Sequence, residues 1–432
     1  MPDAPQDAAD RSASPTATLA RELLDLTAGL GARAAEDPFG NPVLLVSLAI
    51  SRQLDTGTLT TADIAALIRH LRDAAFADRA EGIGRYLGGI DTAANDAILA
   101  QLAQHLLRPD PNDSPVRWAE YRAMTERTRF AAVFTAHPTF SLPTPVSQAL
   151  AGAACGRPAP DFESHRPPPI TLRAEFDQAV FAIANGRDAI DRFNAALISV
   201  GRTAWPDRWT DLAPRPVVLS SWVGYDTDGR TDIGWWDTLR LRLEMKHLQL
   251  VRLHAQTSGI SSASDLAAHI GSARDMVARQ IEACPAHPDP AAVAVFARGL
   301  IGCKDTALSS PAPLLPLFQD AIAAAGDHAK LMLTVAKAGL LSHGLALAHT
   351  HTRLNAAQVH NVVRQRLGFA DSPEDPSRRR ALFAKINAAL DTVQPEAVDF
   401  GALIAEQASA ARLMMTVGQT SSTSTVQSPC AF

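Results

Sequence analysis

Phe130-Ala131-Ala132-Val133-Phe134 runs directly into Thr135-Ala136-His137-Pro138-Thr139. Five apolar residues are too few for a helix, and the polar residues that follow at once mark the end of a short buried strand. The pattern recurs at 216–219 (PVVL), followed by SSWVGYDTDG, and at 344–348 (GLALA), followed by HTHTR. Long helical stretches separate the three runs. Where parallel strands alternate with helices, the loops at the C-terminal strand ends build the active site. The same runs also fit buried helix segments with ordinary loop tails, and pattern alone leaves both readings open.

Working outward, most of the chain reads as helix, and no fixed-period repeat is present. Residues 1–16 are mostly Ala, Asp, Pro and Ser without apolar period, which predicts a mobile tail. Leu23, Leu24, Leu26 and Leu30 line one broad helical face, and Leu44, Val46, Leu48 and Ile50 read as a buried continuation. Ile64, Leu67, Ile68 and Leu71 recur at i, i+3, i+4 and i+7, with Thr61 or Asp63 as the cap. Further helices are expected over 93–107 and 173–201, with a Pro-rich loop at 158–169. Leu241, Met245, Leu248 and Val251 read as a core stripe. The expected organisation is a disordered tail (1–16), an N-terminal helical region (17–126), a partial α/β barrel with inserted helices (127–418) and an irregular tail (419–432). The fold class is therefore mostly α with a few short parallel strands.

The chain has 432 residues, 47 % hydrophobic and 20 % charged, enough for a large core and incompatible with a wholly disordered chain. Lys+Arg 40 against Asp+Glu 45 gives −5, so there is no global field for nucleic acid or anionic lipid. An anionic substrate must then be held by a local cluster. The 4 cysteines, Cys155, Cys284, Cys303 and Cys430, form no CxxC pair. The start of the chain has no basic and apolar leader, and no apolar run approaches the ~20 residues of a membrane span. The expectation is a cytoplasmic protein with neither membrane nor nucleic-acid partners.

Three segments could carry chemistry. Pro138 keeps His137 out of the helical region and stiffens the turn, which suits a general base; a turn histidine bonded to nearby backbone fits too. The stretch 220–232 combines Trp222, the turn-permitting Gly224 and Gly229, and the acids Asp226, Asp228 and Asp232. It is not a calcium loop. Counted from Asp226 the glycine comes too early, and the last ligand would be Asp237 rather than Glu. A solvated acidic turn is the other reading. In the third segment, a strand would put His349 and His351 on one face beside Arg353. That pair could hold a divalent metal, as in a barrel metal hydrolase, and Arg353 could fork onto a carboxylate or phosphate. Cys303 has no marked setting, and His343, His360 and His287 read as structural or exposed. GxGxxG, P-loop and GxSxG motifs are absent.

Taken in order, TAHPT, SWVGYDTDG and HGLALAHTHTR resemble the corresponding segments of the phosphoenolpyruvate carboxylase family, over about 127 to the 350s and onward through LIAEQASAARLMM. The resemblance implies a (β/α)8 barrel set among extra helices. It implies formation of oxaloacetate and phosphate from phosphoenolpyruvate and bicarbonate with Mg2+. In that chemistry bicarbonate attacks the phosphoryl group, giving carboxyphosphate and the enolate of pyruvate. A histidine, matched by His137, takes the carboxyphosphate proton, and the enolate captures the released carbon dioxide. Arg353 matches a phosphate or carboxylate ligand; Trp222, Asp226 and Asp228 match substrate-site positions of the second motif. Phe140, Tyr225, Thr227 and Arg230-Thr231 depart from the family pattern. The family's Gly/Arg-rich loop, metal-binding Glu and Asp, catalytic Lys and C-terminal Gly tail have no counterpart here. The implied identity is thus the N-terminal half of such an enzyme, truncated or split and needing the missing half for activity, with a homotetramer or a complementary C-terminal chain as the implied assembly. A non-catalytic relic or interaction subunit is the alternative, and the metal hydrolase a second one.

Overall fold

The computed structural model describes residues 15–36, 41–87, 92–110, 112, 114–135, 142–158, 171–225, 233–285, 289–351, 356–368, 377–390 and 392. The chain divides into two compact units, Met1–Asp91 with Leu142–Pro167, and Thr92–Ser141 with Pro168–Phe432.

Among its described residues the first unit is helical: α1 (Pro15–Glu36), α2 (Pro42–Asp55), α3 (Thr61–Leu87) and, in chain order after two helices of the second unit, α6 (Thr144–Ala154). The cap of α3 is Thr60, one residue before the expected Thr61. Thr60 N–H donates to Asp63 Oδ2 (2.9 Å), while Asp63 N–H donates to Thr60 Oγ1 (3.2 Å). This reciprocal capping box satisfies two orphan donors, and the Thr60 bonds hold the Asp63 carboxyl below the usual range. Helix α2 starts on the Asn41 side chain, which accepts from Leu44 N–H (3.0 Å), with Pro42 in the first turn. The segment expected to be buried here is helical but outward-facing, with Val43 74 % exposed and no residue of α2 buried. The helix is apolar nearly all round, and packing on α1 covers only part of it.

The second unit holds a three-stranded parallel sheet of β1 (Phe130–Phe134), β2 (Val217–Ser221) and β3 (His349–Thr350), in the order β1-β2-β3. Its helices are α4 (Thr92–Leu107), α5 (Trp118–Thr125), α7 (Leu172–Ala204), α8 (Trp235–Thr257), α9 (Ser264–Glu282), α10 (Pro290–Gly302), α11 (Leu314–Ala324), α12 (Asp327–His343), α13 (Ala356–Arg366) and α14 (Arg378–Leu390). The expected class, mostly helical with short parallel strands, is what is found. Parallel neighbours need long crossovers, which here contain α7 between β1 and β2, and α8 to α12 between β2 and β3.

Two strand expectations need correction. β1 was expected to be buried, but it is an edge strand with Phe130 61 % exposed. The GLALA run is buried but is not a strand; pairing begins after it, at His349. Other elements occupy its backbone. Arg187 of α7 donates to Leu347 O (2.7 Å), Gln249 of α8 donates to Gly344 O (3.1 Å), and Leu347 N–H donates to Met245 O (3.1 Å). Gly344, at φ 62, ends α12 in a backbone region that favours glycine.

The core beneath the sheet joins Phe176 and Ile183 of α7, Leu219 of β2, and Leu241 and Met245 of α8. Leu248 packs against it, whereas Val251, expected in the same stripe, is 40 % exposed. A second cluster ties α9, α11 and α12 through Ile270, Phe318 and Leu333. A third packs Tyr121 of α5 against Leu197 of α7, with Trp209 and Leu212.

Candidate functional site

The register aligns Phe134 with Ser221, and Ser221 with Thr350. Thr135, Trp222 and His351 therefore leave the same end of the sheet side by side. Of the residues expected at the site, Trp222 is described, half-buried, with its ring 5.8 Å from that of His351. His137, Asp226, Asp228 and Arg353 lie outside the described residues.

After β2 the chain turns tightly. Tyr225 N–H donates to Trp222 O (2.8 Å), and Gly224 adopts φ 82, where a Cβ would also meet Leu241 Cδ1 at 2.7 Å. Thr238 Oγ1 of α8 donates to Gly224 O (2.5 Å), and Asp237 caps Gly234 N–H (3.0 Å). The start of α8 is thus tied to the end of β2. One turn further along α8, Arg242 Nη1 donates to Thr350 Oγ1 (3.1 Å). Ser221, Tyr225, Arg242, His349 and Thr350 line a cavity of about 10 Å³, room for about one water. Burial raises the Tyr225 phenol above its ordinary pKa, and the nearby Arg242 charge opposes that rise.

A metal-binding pair at His349 and His351 on one face was an alternative that the sequence left open. His349 instead directs Nε2 at Ser342 O (2.8 Å) and stacks on His343, with ring centroids 5.1 Å apart. Burial pushes the His349 imidazole below its usual pKa; the Ser342 bond opposes this. His343 Nε2 accepts from Leu219 N–H of β2 (3.1 Å). Among the described residues no group of three or more His, Cys, Asp or Glu side chains is placed to hold a metal. They do not fit a Mg2+ site.

Buried cations are the feature the sequence reading missed. Arg187 and Lys246 are each 1 % exposed, and Arg242 is also buried, close enough to Lys246 for their charges to interact. Burial lowers Arg187 to about 10 and Lys246 to about 7; Asp191 opposes the first shift and Arg242 adds to the second. Lys246 Nζ donates to Leu308 O (2.7 Å). The only signal was their placement inside an apolar helical stripe, where a charge normally faces outward.

No protein-family model matches the chain, and no curated protein matches it significantly. Among the described residues, no helix is long and apolar enough to cross a membrane.

Proposed function

We propose that the chain is a phosphoenolpyruvate carboxylase-like lyase, producing oxaloacetate and phosphate from phosphoenolpyruvate and bicarbonate. The observation that carries this reading is the register. Of the three segments resembling that family's motifs, TAHPT follows β1, SWVGYDTDG begins at the last residue of β2 and HGLALAHTHTR contains β3; these adjacent parallel strands end level with one another. Residues far apart in sequence can then serve one substrate. The strand order β1-β2-β3, with helical crossovers, also suits an arc of a (β/α)8 barrel whose remaining strands come from a complementary segment.

In this reading His137 takes the proton of carboxyphosphate. Arg353 grips the phosphate or carboxylate group, and Trp222, Asp226 and Asp228 shape the substrate's surroundings. Mg2+ would supply charge neutralisation at the phosphoryl and enolate oxygens, with its ligands in the complementary segment. Arg242 adds a buried cation close to the strand ends, where anionic groups would gather.

The test is oxaloacetate formation from phosphoenolpyruvate, bicarbonate and Mg2+, read by a coupled reduction to malate. It is run on the chain alone and mixed with the C-terminal half of a phosphoenolpyruvate carboxylase. Turnover that falls by about 10²-fold or more in His137→Asn is expected, the size of a general-base contribution. Absence of oxaloacetate in both preparations, or full activity in His137→Asn, would overturn the reading.

A further inference from the structure

We propose that Arg242 is a positioning residue that braces the end of β3 against α8, whose start is tied to the loop after β2, and so sets where His351 leaves the sheet. The brace does not rest on the lyase reading; only its consequence for a substrate held by Arg353 does.

β3 is two residues long, and its ladder closes on one further bond, His351 N–H to Ser221 O (3.0 Å). So short a strand cannot fix its own end. Its side chains do so on opposite faces, because successive residues of a strand alternate. On one face His349 bonds to Ser342 O at the end of α12. On the other, Thr350 Oγ1 accepts from buried Arg242. Arg242 can act as a fixed point because α8, whose start is capped by Asp237, is anchored to the loop after β2 by the Thr238–Gly224 bond. Tyr225, buried at the end of that loop, closes the same small cavity from the β2 side. The guanidinium therefore ties the end of β3 to α8, and the Thr238–Gly224 bond ties α8 to the loop after β2, around a space that admits little rearrangement.

The experiment is amide hydrogen exchange on the full chain, with no substrate, for wild type, Arg242→Met, Thr350→Val and Thr350→Ser. Val keeps the shape of Thr and removes the hydroxyl, and Ser keeps the hydroxyl. The amides of 349–351 are expected to exchange about tenfold faster or more in Arg242→Met and Thr350→Val, and at near wild-type rate in Thr350→Ser. The amides of 218 and 220, in the strand segment paired with β1, act as the internal reference and stay protected. Should Arg242→Met fold poorly, the Thr350 pair decides alone. Unchanged exchange at 349–351 in Thr350→Val, or loosening spread equally over 218 and 220, would overturn the brace. Because no ligand is present, that failure is separate from a failure of the lyase reading.

Discussion

At the end of α12 the His343 ring accepts a hydrogen bond from the central strand, at Leu219 N–H. Only the neutral ring can do this through Nε2. Burial holds its pKa well below the ordinary histidine value, and the Arg187, His349 and Arg252 charges lower it further. A group depressed in the fold but free to protonate near 6.5 when unfolded contributes stability above about pH 6.5. That contribution is lost as the pH falls below this value. Urea unfolding should therefore find the protein less stable at pH 5 than at pH 7.5. His343→Gln should be weaker by about 1–3 kcal/mol at pH 7.5, with a shallower pH slope; parallel slopes would contradict this role. The sequence named His343 only as structural or exposed, since nothing local reveals that a ring 124 positions away meets Leu219. Buried Arg187, Arg242 and Lys246 escaped notice for the same reason: their partners Leu347, Thr350 and Leu308 are distant in sequence.

Elements governed by local pattern were legible. β1 occupies the apolar run Phe130–Phe134, and the long α7 starts one residue before and ends three residues after the expected 173–201. β2 is offset slightly from PVVL because pairing with β1 continues through Ser220 and Ser221. GLALA misled because an apolar run reports burial, whereas strand pairing depends on which partners take its backbone groups. Close packing of α7 gives a further expectation. Gly201 sits in α7 where an added Cβ would run into Leu212 Cδ1, with Tyr121 close by. Leu212 and Tyr121 are both fully buried, so neither can yield easily. Gly201→Ala should destabilise by about 1–3 kcal/mol despite its better helix propensity, measured as a fall in thermal midpoint. An unchanged or raised midpoint would show that this helix has slack.

For the whole molecule, the mildly acidic charge balance leaves anion recognition to local cations. In the second unit the buried Arg242 is bonded to Thr350 at the end of β3. How those ends meet was partly legible: the order of the three segments suggested a shared edge, but only strand register brings Thr135, Trp222 and His351 level. The most direct measurement of the central claim is a calorimetric titration of phosphoenolpyruvate, with Mg2+ in the buffer, into the wild-type chain and Arg353→Met. A convergent anion site predicts saturable binding that weakens about tenfold or more in Arg353→Met, the scale of one charge-assisted contact. No saturable binding to the wild type, or equal binding by both proteins, would contradict it.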